Sequence, residues 1–107
     1  MCFMDKELYK IHAEVCKVFS NPARLEILDL LRGRGMSVSE LTRRTGLSQA
    51  NVSQHLSVMK SKGIVSYRRE GKNVYYALSN PKVVKAFDLM REALVENLAK
   101  RFKGGGG

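Results

Sequence analysis

Apolar positions along the chain follow two periods, and the switch between them divides it into elements. Leu8, Ile11, Val15 and Phe19 recur at helical spacing and predict a first helix over roughly residues 5–19. Ser20-Asn21-Pro22 interrupts it. Asn21 is a good N-cap, and Pro22 suits a first helical position, where no N–H is needed. Leu25, Ile27, Leu28, Leu30 and Leu31 put apolar groups on more than one side of a second helix that runs to about Arg32, as expected of a central helix. Gly33 and Gly35 end it. Ser37-Val38-Ser39-Glu40 predicts a capping box, with Ser37 capping a short third helix and Glu40 reaching back to the cap amide. That helix stops at Gly46, Leu47 sits in the turn, and Ser48 caps a fourth helix at once. Two helices joined so tightly are the signature of a helix-turn-helix. Val52, Leu56 and Met59 form the inner seam of helix four, which ends at Gly63. The period then becomes two. Ile64–Arg69 and Asn73–Leu78 alternate as strands, joined by a turn at Glu70-Gly71-Lys72. Ser79-Asn80-Pro81 repeats the earlier helix start, and a last helix follows over 82–102.

This order of parts predicts a mainly α fold with a small β-hairpin: a winged helix-turn-helix of five helices plus a two-stranded wing. Residues 1–103 are read as one DNA-binding and dimerisation domain, and 104–107 as a flexible glycine tail. A chain of 107 residues buries only a modest core, so help from a partner subunit is plausible. The last helix carries Val83, Phe87, Met90, Leu94, Leu98 and Phe102, a stripe too long to be covered within so small a domain. Phe87, Met90, Leu94 and Leu98, together with Leu8, Ile11 and Val15 of helix one, are expected to form a dimer face.

Charge sharpens the picture. The chain has 19 basic and 10 acidic side chains, a net charge of +9, which favours a polyanionic partner. The excess is greatest over residues 36–80, where seven basic side chains face two acidic ones. No apolar run approaches the ~18–20 residues of a membrane span, and no signal peptide precedes the first helix. Two cysteines do not make a disulfide framework. No membrane partner and a reducing cytoplasmic location are therefore expected. There is no glycine-rich phosphate loop, no Cys-x-x-Cys pair and no nucleophile beside a base, so an enzyme is not expected, and no cofactor is predicted.

Opposite its inner seam, helix four presents Ala50, Ser53, Gln54, Ser57 and Ser61, with Gln49 in its exposed first turn. Small and amide side chains let a helix approach base edges closely, and Gln pairs in a bidentate way with adenine. Gln49, Ser53 and Gln54 are expected to read bases, with Ser48 and Ser57 as weaker candidates. Lys60 and Lys62 at the far end of the helix suit phosphates, as do Arg43 and Arg44 of helix three, although solvation alone would also account for the two arginines. His55, on the flank, fits either a half-buried hydrogen-bonded role or a DNA contact. In the wing, Arg68, Arg69 and Lys72 surround a tight turn that can enter or flank a minor groove. The partner implied is duplex DNA.

The segments SNPARLEILDLL, SVSELTRRTGLSQANVSQHLSVMKSKGIV and RREGKNVYYAL cover most of residues 19–78, and they resemble the ArsR/SmtB family of small dimeric bacterial and archaeal repressors. The resemblance implies a homodimer, an inverted-repeat operator and repression relieved by an effector. Family effectors are typically metal or metalloid ions; some members sense redox state or reactive sulfur, and others have lost effector binding. One family metal site uses Cys-x-Cys where this chain has Ser37-Val38-Ser39, and hydroxyls are poor ligands for soft ions. Another uses carboxylates and histidines of the terminal helix. Here that helix has Asp88, Glu92 and Glu96 but no histidine, and the carboxylates are expected to be solvated or to pair with Arg91 and Lys100. No metal site of these kinds is expected.

Two alternatives stay open at this level. Cys2, His12 and Cys16 could respond to a thiol oxidant or a soft metal, since His12 and Cys16 lie one turn apart; inert thiols beside a surface histidine explain the same residues. A winged-helix protein-interaction module without DNA binding would instead show an apolar exposed patch on helix four or the wing.

Overall fold

The computed structural model describes residues 5–103; the expectations for Cys2 and for the tail 104–107 lie outside the described residues. The helices are α1 (Lys6–Val18), α2 (Pro22–Leu30), α3 (Val38–Thr45), α4 (Gln49–Ser61) and α5 (Lys82–Lys103), and the strands are β1 (Met36–Ser37), β2 (Val65–Glu70) and β3 (Asn73–Leu78). Each helix begins on a short polar side chain that satisfies backbone N–H groups otherwise left without partners. Asp5 accepts from the Leu8 N–H, and Asn21 Oδ1 accepts from the N–H groups of Ala23 and Arg24 at 2.8 and 3.3 Å. Ser37 and Ser48 do the same for α3 and α4, each at 3.1 Å, and Asn80 for α5 at 2.9 Å.

The wing has three strands, not two. Its order is β1-β3-β2, all antiparallel. Met36 and Ser37, extended between the end of α2 and the start of α3, pair with Tyr76 and Tyr75 and so cover an edge of β3 that the hairpin alone would leave open. The chain enters this strand at Gly35, where a Cβ would stand 3.2 Å from the Tyr76 carbonyl oxygen. The hairpin is also tighter than expected: Glu70 pairs with Asn73, which leaves Gly71-Lys72 as the turn.

The core gathers where α2, α3 and α4 meet the base of the wing. Ile27, Leu41, Val52, Leu56 and Met59 are fully buried, with Leu28, Ile64 and Val65 beside them. Burial of this seam fixes the rotation of α4, and Gly46 fixes the angle of the turn before it. Gly46 closes α3 with φ +76, a left-handed cap that brings α4 in across α3.

The capping box forms in half. Ser37 caps α3, but the Glu40 carboxylate takes Arg34 and Arg44 instead of the cap amide. Two cationic donors outbid one neutral N–H, and Arg34 holds the Glu40 carboxyl below its ordinary range.

α5 leaves the core after its first turns. Val84 is buried and Phe87 half-buried, whereas every residue from Leu89 to Phe102 is exposed. The radius of gyration is 16.7 Å, against about 13 Å for a compact domain of this length; the projecting helix accounts for that shape.

Candidate nucleic-acid interface

With Val52, Leu56 and Met59 locked inside, the opposite side of α4 has no choice but to face solvent. Ala50, Ser53, Gln54, Ser57 and Ser61 are all exposed, as are Ser48 and Gln49 at the start. The side chains of Gln49, Ser53, Gln54 and Ser57 make no hydrogen bond among the described residues and are free to meet a ligand. Ser48 is partly committed, because its hydroxyl oxygen accepts from the Asn51 N–H. Asn51 is an exposed amide in the same first turn that the sequence reading passed over. It lies off the line directly opposite the seam, and its proximity to the N-terminal end of α4 was the signal available. No large apolar side chain is exposed on α4, and in the wing Tyr67 alone is.

The basic side chains divide into tied and free. On β2, residues alternate between faces. Arg68 shares a face with Glu70 and Tyr75: its Nε–H donates to Glu70 Oε2 at 2.6 Å, and its guanidinium lies 5.9 Å from the Tyr75 ring centroid. Arg69 lies on the other face, beside Tyr67 and opposite Val74. That is the face reached by α4, since Lys60 Nζ sits 4.2 Å above the Tyr67 ring. Arg69 has no acidic partner among the described residues. The sequence reading treated Arg68 and Arg69 as equivalent; the pleat separates them. Lys62 and Lys72 are exposed and unpaired among the described residues, as is Arg43, whereas Arg44 Nε lies 3.3 Å from Glu40.

His55 is half-buried on the flank of α4. Its Nδ1 accepts a hydrogen bond from Arg24 Nε at 3.1 Å, and Arg24 also donates to the Val18 carbonyl at 3.3 Å. Burial, and secondarily the neighbouring Arg24 charge, hold the imidazole pKa below its ordinary value.

Away from this surface, α1 and α5 carry the expected dimer face. Leu8, Val15 and Phe87 are half-buried, Phe87 standing edge-on to Phe19 with ring centroids 4.4 Å apart. Ile11, Met90, Leu94 and Leu98 are each more than half exposed. Tyr9, Leu89, Val95 and Phe102 add further exposed apolar surface on the same two helices. Among the carboxylates of α5, Asp88 departs from expectation, whereas Glu92 and Glu96 are exposed and make no ion pair among the described residues. Asp88 is gripped by Arg32 from the end of α2 at 2.8 and 2.9 Å, and Arg91 donates to Asp29 of α2 at 3.0 Å. Both pairs cross from α5 to the α2 region, where the sequence suggested solvation or pairing within α5.

His12 and Cys16 do share a face, as their spacing predicted. Together with Val15, Phe19, Phe87 and Met90 they line an apolar groove of about 260 Å³ between α1 and α5, and Cys16 is an exposed free thiol. Among the described residues no three His, Cys, Asp or Glu side chains come together as a metal-holding group.

An exposed Ser/Gln helix face flanked by unpaired cations can hydrogen-bond base edges and attract phosphates. Known proteins share this fold. Residues 21–67 match the bacterial regulatory protein, arsR family. The HTH-type transcriptional regulator Rv0081 of Mycobacterium tuberculosis is 38% identical over 100 residues, spanning 92% of this chain and 88% of that protein. Its crystal structure superimposes with a TM-score of 0.82 at 36% identity, covering 92% of this chain and 99% of that one. The homodimeric winged helix-turn-helix DNA-binding domain of Mb0332 from Mycobacterium bovis, solved in solution, gives a TM-score of 0.79 at 33% identity and covers 92% and 94% of the two chains. The transcriptional repressor SdpR of Bacillus subtilis is 35% identical over 65 residues, which is 61% of this chain and 72% of the repressor.

Proposed function

The chain belongs to the arsR family of bacterial regulatory proteins, and from that membership we propose that it acts as a homodimeric repressor reading an inverted-repeat operator through α4. It is a winged helix-turn-helix transcriptional regulator. The observation that carries the reading at the residue level is the pairing of a sealed inner seam on α4 with an unoccupied amide and hydroxyl face outside it. Gln49, Ser53 and Gln54 meet base edges in the major groove, with Ser57 and Asn51 beside them. Arg69, Lys72, Lys60, Lys62 and Arg43 meet phosphates, and Arg68 follows only by leaving Glu70. α5 and α1 of two copies close over their exposed apolar stripes, so residues 1–103 work as one unit of reading and pairing. Among the described residues no helix is long and apolar enough to cross a membrane.

The rival reading, a protein-interaction module, calls for an apolar patch on α4 or the wing. Apart from Tyr67 of the wing, the large exposed apolar side chains among the described residues stand on α1 and α5. Selection of binding sites from a pool of randomised duplexes tests the proposal. Recovered sequences should be inverted repeats, with half-site centres about 10–10.5 bp or a multiple apart. Replacing Gln54 by Ala should then relax preference at one position of each half-site, at a cost of about 1–3 kcal/mol. Equal loss on selected and scrambled duplexes would remove Gln54 from the reading set.

A further inference from the structure

Arg24 and His55 are 31 residues apart in sequence, and their contact fixes a chemical state that the fold alone does not require. A guanidinium Nε carries a proton and no lone pair that can accept, so in this bond Arg24 is the donor. His55 Nδ1 must therefore be bare, which places the single imidazole proton on Nε2. Burial first, and the Arg24 charge second, lower the pKa of His55, which agrees with a neutral ring. Arg24 is itself anchored. It sits in the first turn of α2, its backbone N–H is bound by the Asn21 cap, and a second guanidinium nitrogen donates to the Val18 carbonyl at the end of α1. The ring is thus oriented from a point where two helices meet.

The other edge of the ring is open. Nε2 has no partner among the described residues. The one buried side-chain nitrogen or oxygen without a partner there is Thr42 Oγ1, so Nε2–H reaches solvent. His55 lies one turn beyond the exposed Asn51, on the flank of α4 next to the reading face. A lone N–H donor in that position cannot discriminate bases as a bidentate amide does. It does suit a phosphate oxygen, which only accepts, and phosphate contacts set the register of a reading helix on the duplex.

We infer that Arg24 is a positioning residue that fixes the His55 ring with its proton on Nε2, turning the ring into a fixed donor to a DNA phosphate beside α4. The inference rests on the DNA-reading role proposed above. It assigns a function to Arg24, which does not itself touch the duplex.

Nitrogen-15 NMR of the imidazole rings, joined to binding of duplexes of arbitrary sequence at low salt, tests it. In the wild-type protein at neutral pH, His55 should show the Nε2–H tautomer alone, and Arg24→Met should give a tautomer mixture. His55→Gln, which keeps an N–H near the Nε2 position, should bind within about twofold to threefold of wild type. His55→Phe, which keeps the shape and loses the donor, should bind all duplexes roughly fivefold to tenfold more weakly. The inference is overturned by an Nδ1–H tautomer in the wild type, by His55→Phe binding as wild type does, or by Gln and Phe losing affinity equally. The tautomer measurement needs no variant, so it decides even if a substitution unfolds the chain. Absence of any salt-dependent duplex binding by the wild-type protein is a separate result, and it would sink the DNA-reading role itself.

Discussion

Arg68 and Arg69 are neighbours in sequence with opposite circumstances. Arg68 is held by Glu70 and must break that bond to serve a phosphate; Arg69 is unpaired among the described residues, on the face shared with Lys60 and Tyr67. Arg69→Ala should flatten the dependence of log K on log salt by about one unit on any duplex, and Arg68→Ala should do less. Equal slopes for the two variants would contradict the division. His55 makes a second residue-level prediction. Its folded pKa lies below the ordinary 6.5, so between those two values the unfolded chain binds more protons than the folded one. Stability should be complete above about pH 6.5 and fall as pH drops through the folded value. Thermal melts of wild type and His55→Gln between about pH 7.5 and 5 check this: the wild type should lose more stability on acidification. Parallel melting curves would show that His55 contributes no such slope. The α4 seam and its outer face were legible from spacing, because a helix of fixed pitch must put Val52, Leu56 and Met59 together. The partners of Arg24, Arg32 and Arg68 were not. Long side chains choose among acceptors that only the folded chain brings near.

Among the elements, α1 to α5 and the hairpin appear where hydrophobic period and capping residues placed them, within a residue or two at most ends. β1 is the exception. Two residues cannot show a period, and Met36-Ser37 becomes a strand only because β3 offers a pairing edge. The angle between α3 and α4 rests on Gly46, whose positive φ leaves open space where a Cβ would go. Gly46→Ala should therefore cost about 1 kcal/mol through backbone strain alone, and Gly46→Asn less, because Asn tolerates the left-handed region better. Chemical denaturation of the two variants measures the difference. Equal stability of Ala and Gly at this position would mean the turn relaxes without strain.

At the scale of the whole molecule, the fold has two ends. One is a packed core that aims α4 and the wing; the other is a projecting α5 whose apolar stripe stays exposed within one chain. Asp29, Arg32, Asp88 and Arg91 tie α5 to α2 between these ends. The length of the α5 stripe led to the expectation of a partner, but spacing alone could not show how far the helix leaves the core. Leu98→Glu removes no core contact of the single chain, so it should leave the monomer folded while raising the dimer dissociation constant roughly thirtyfold or more. Sedimentation velocity across a concentration series would report this, and a variant that dimerises as wild type does would exclude the α5 stripe from the interface. The most direct test of the DNA-reading claim is equilibrium binding of the wild-type protein to its selected inverted repeat and to a scrambled duplex of equal length, both at near-physiological salt. Binding to the selected site should be at least about 10³-fold tighter. Equal affinity for the two duplexes would contradict a base-reading role for α4.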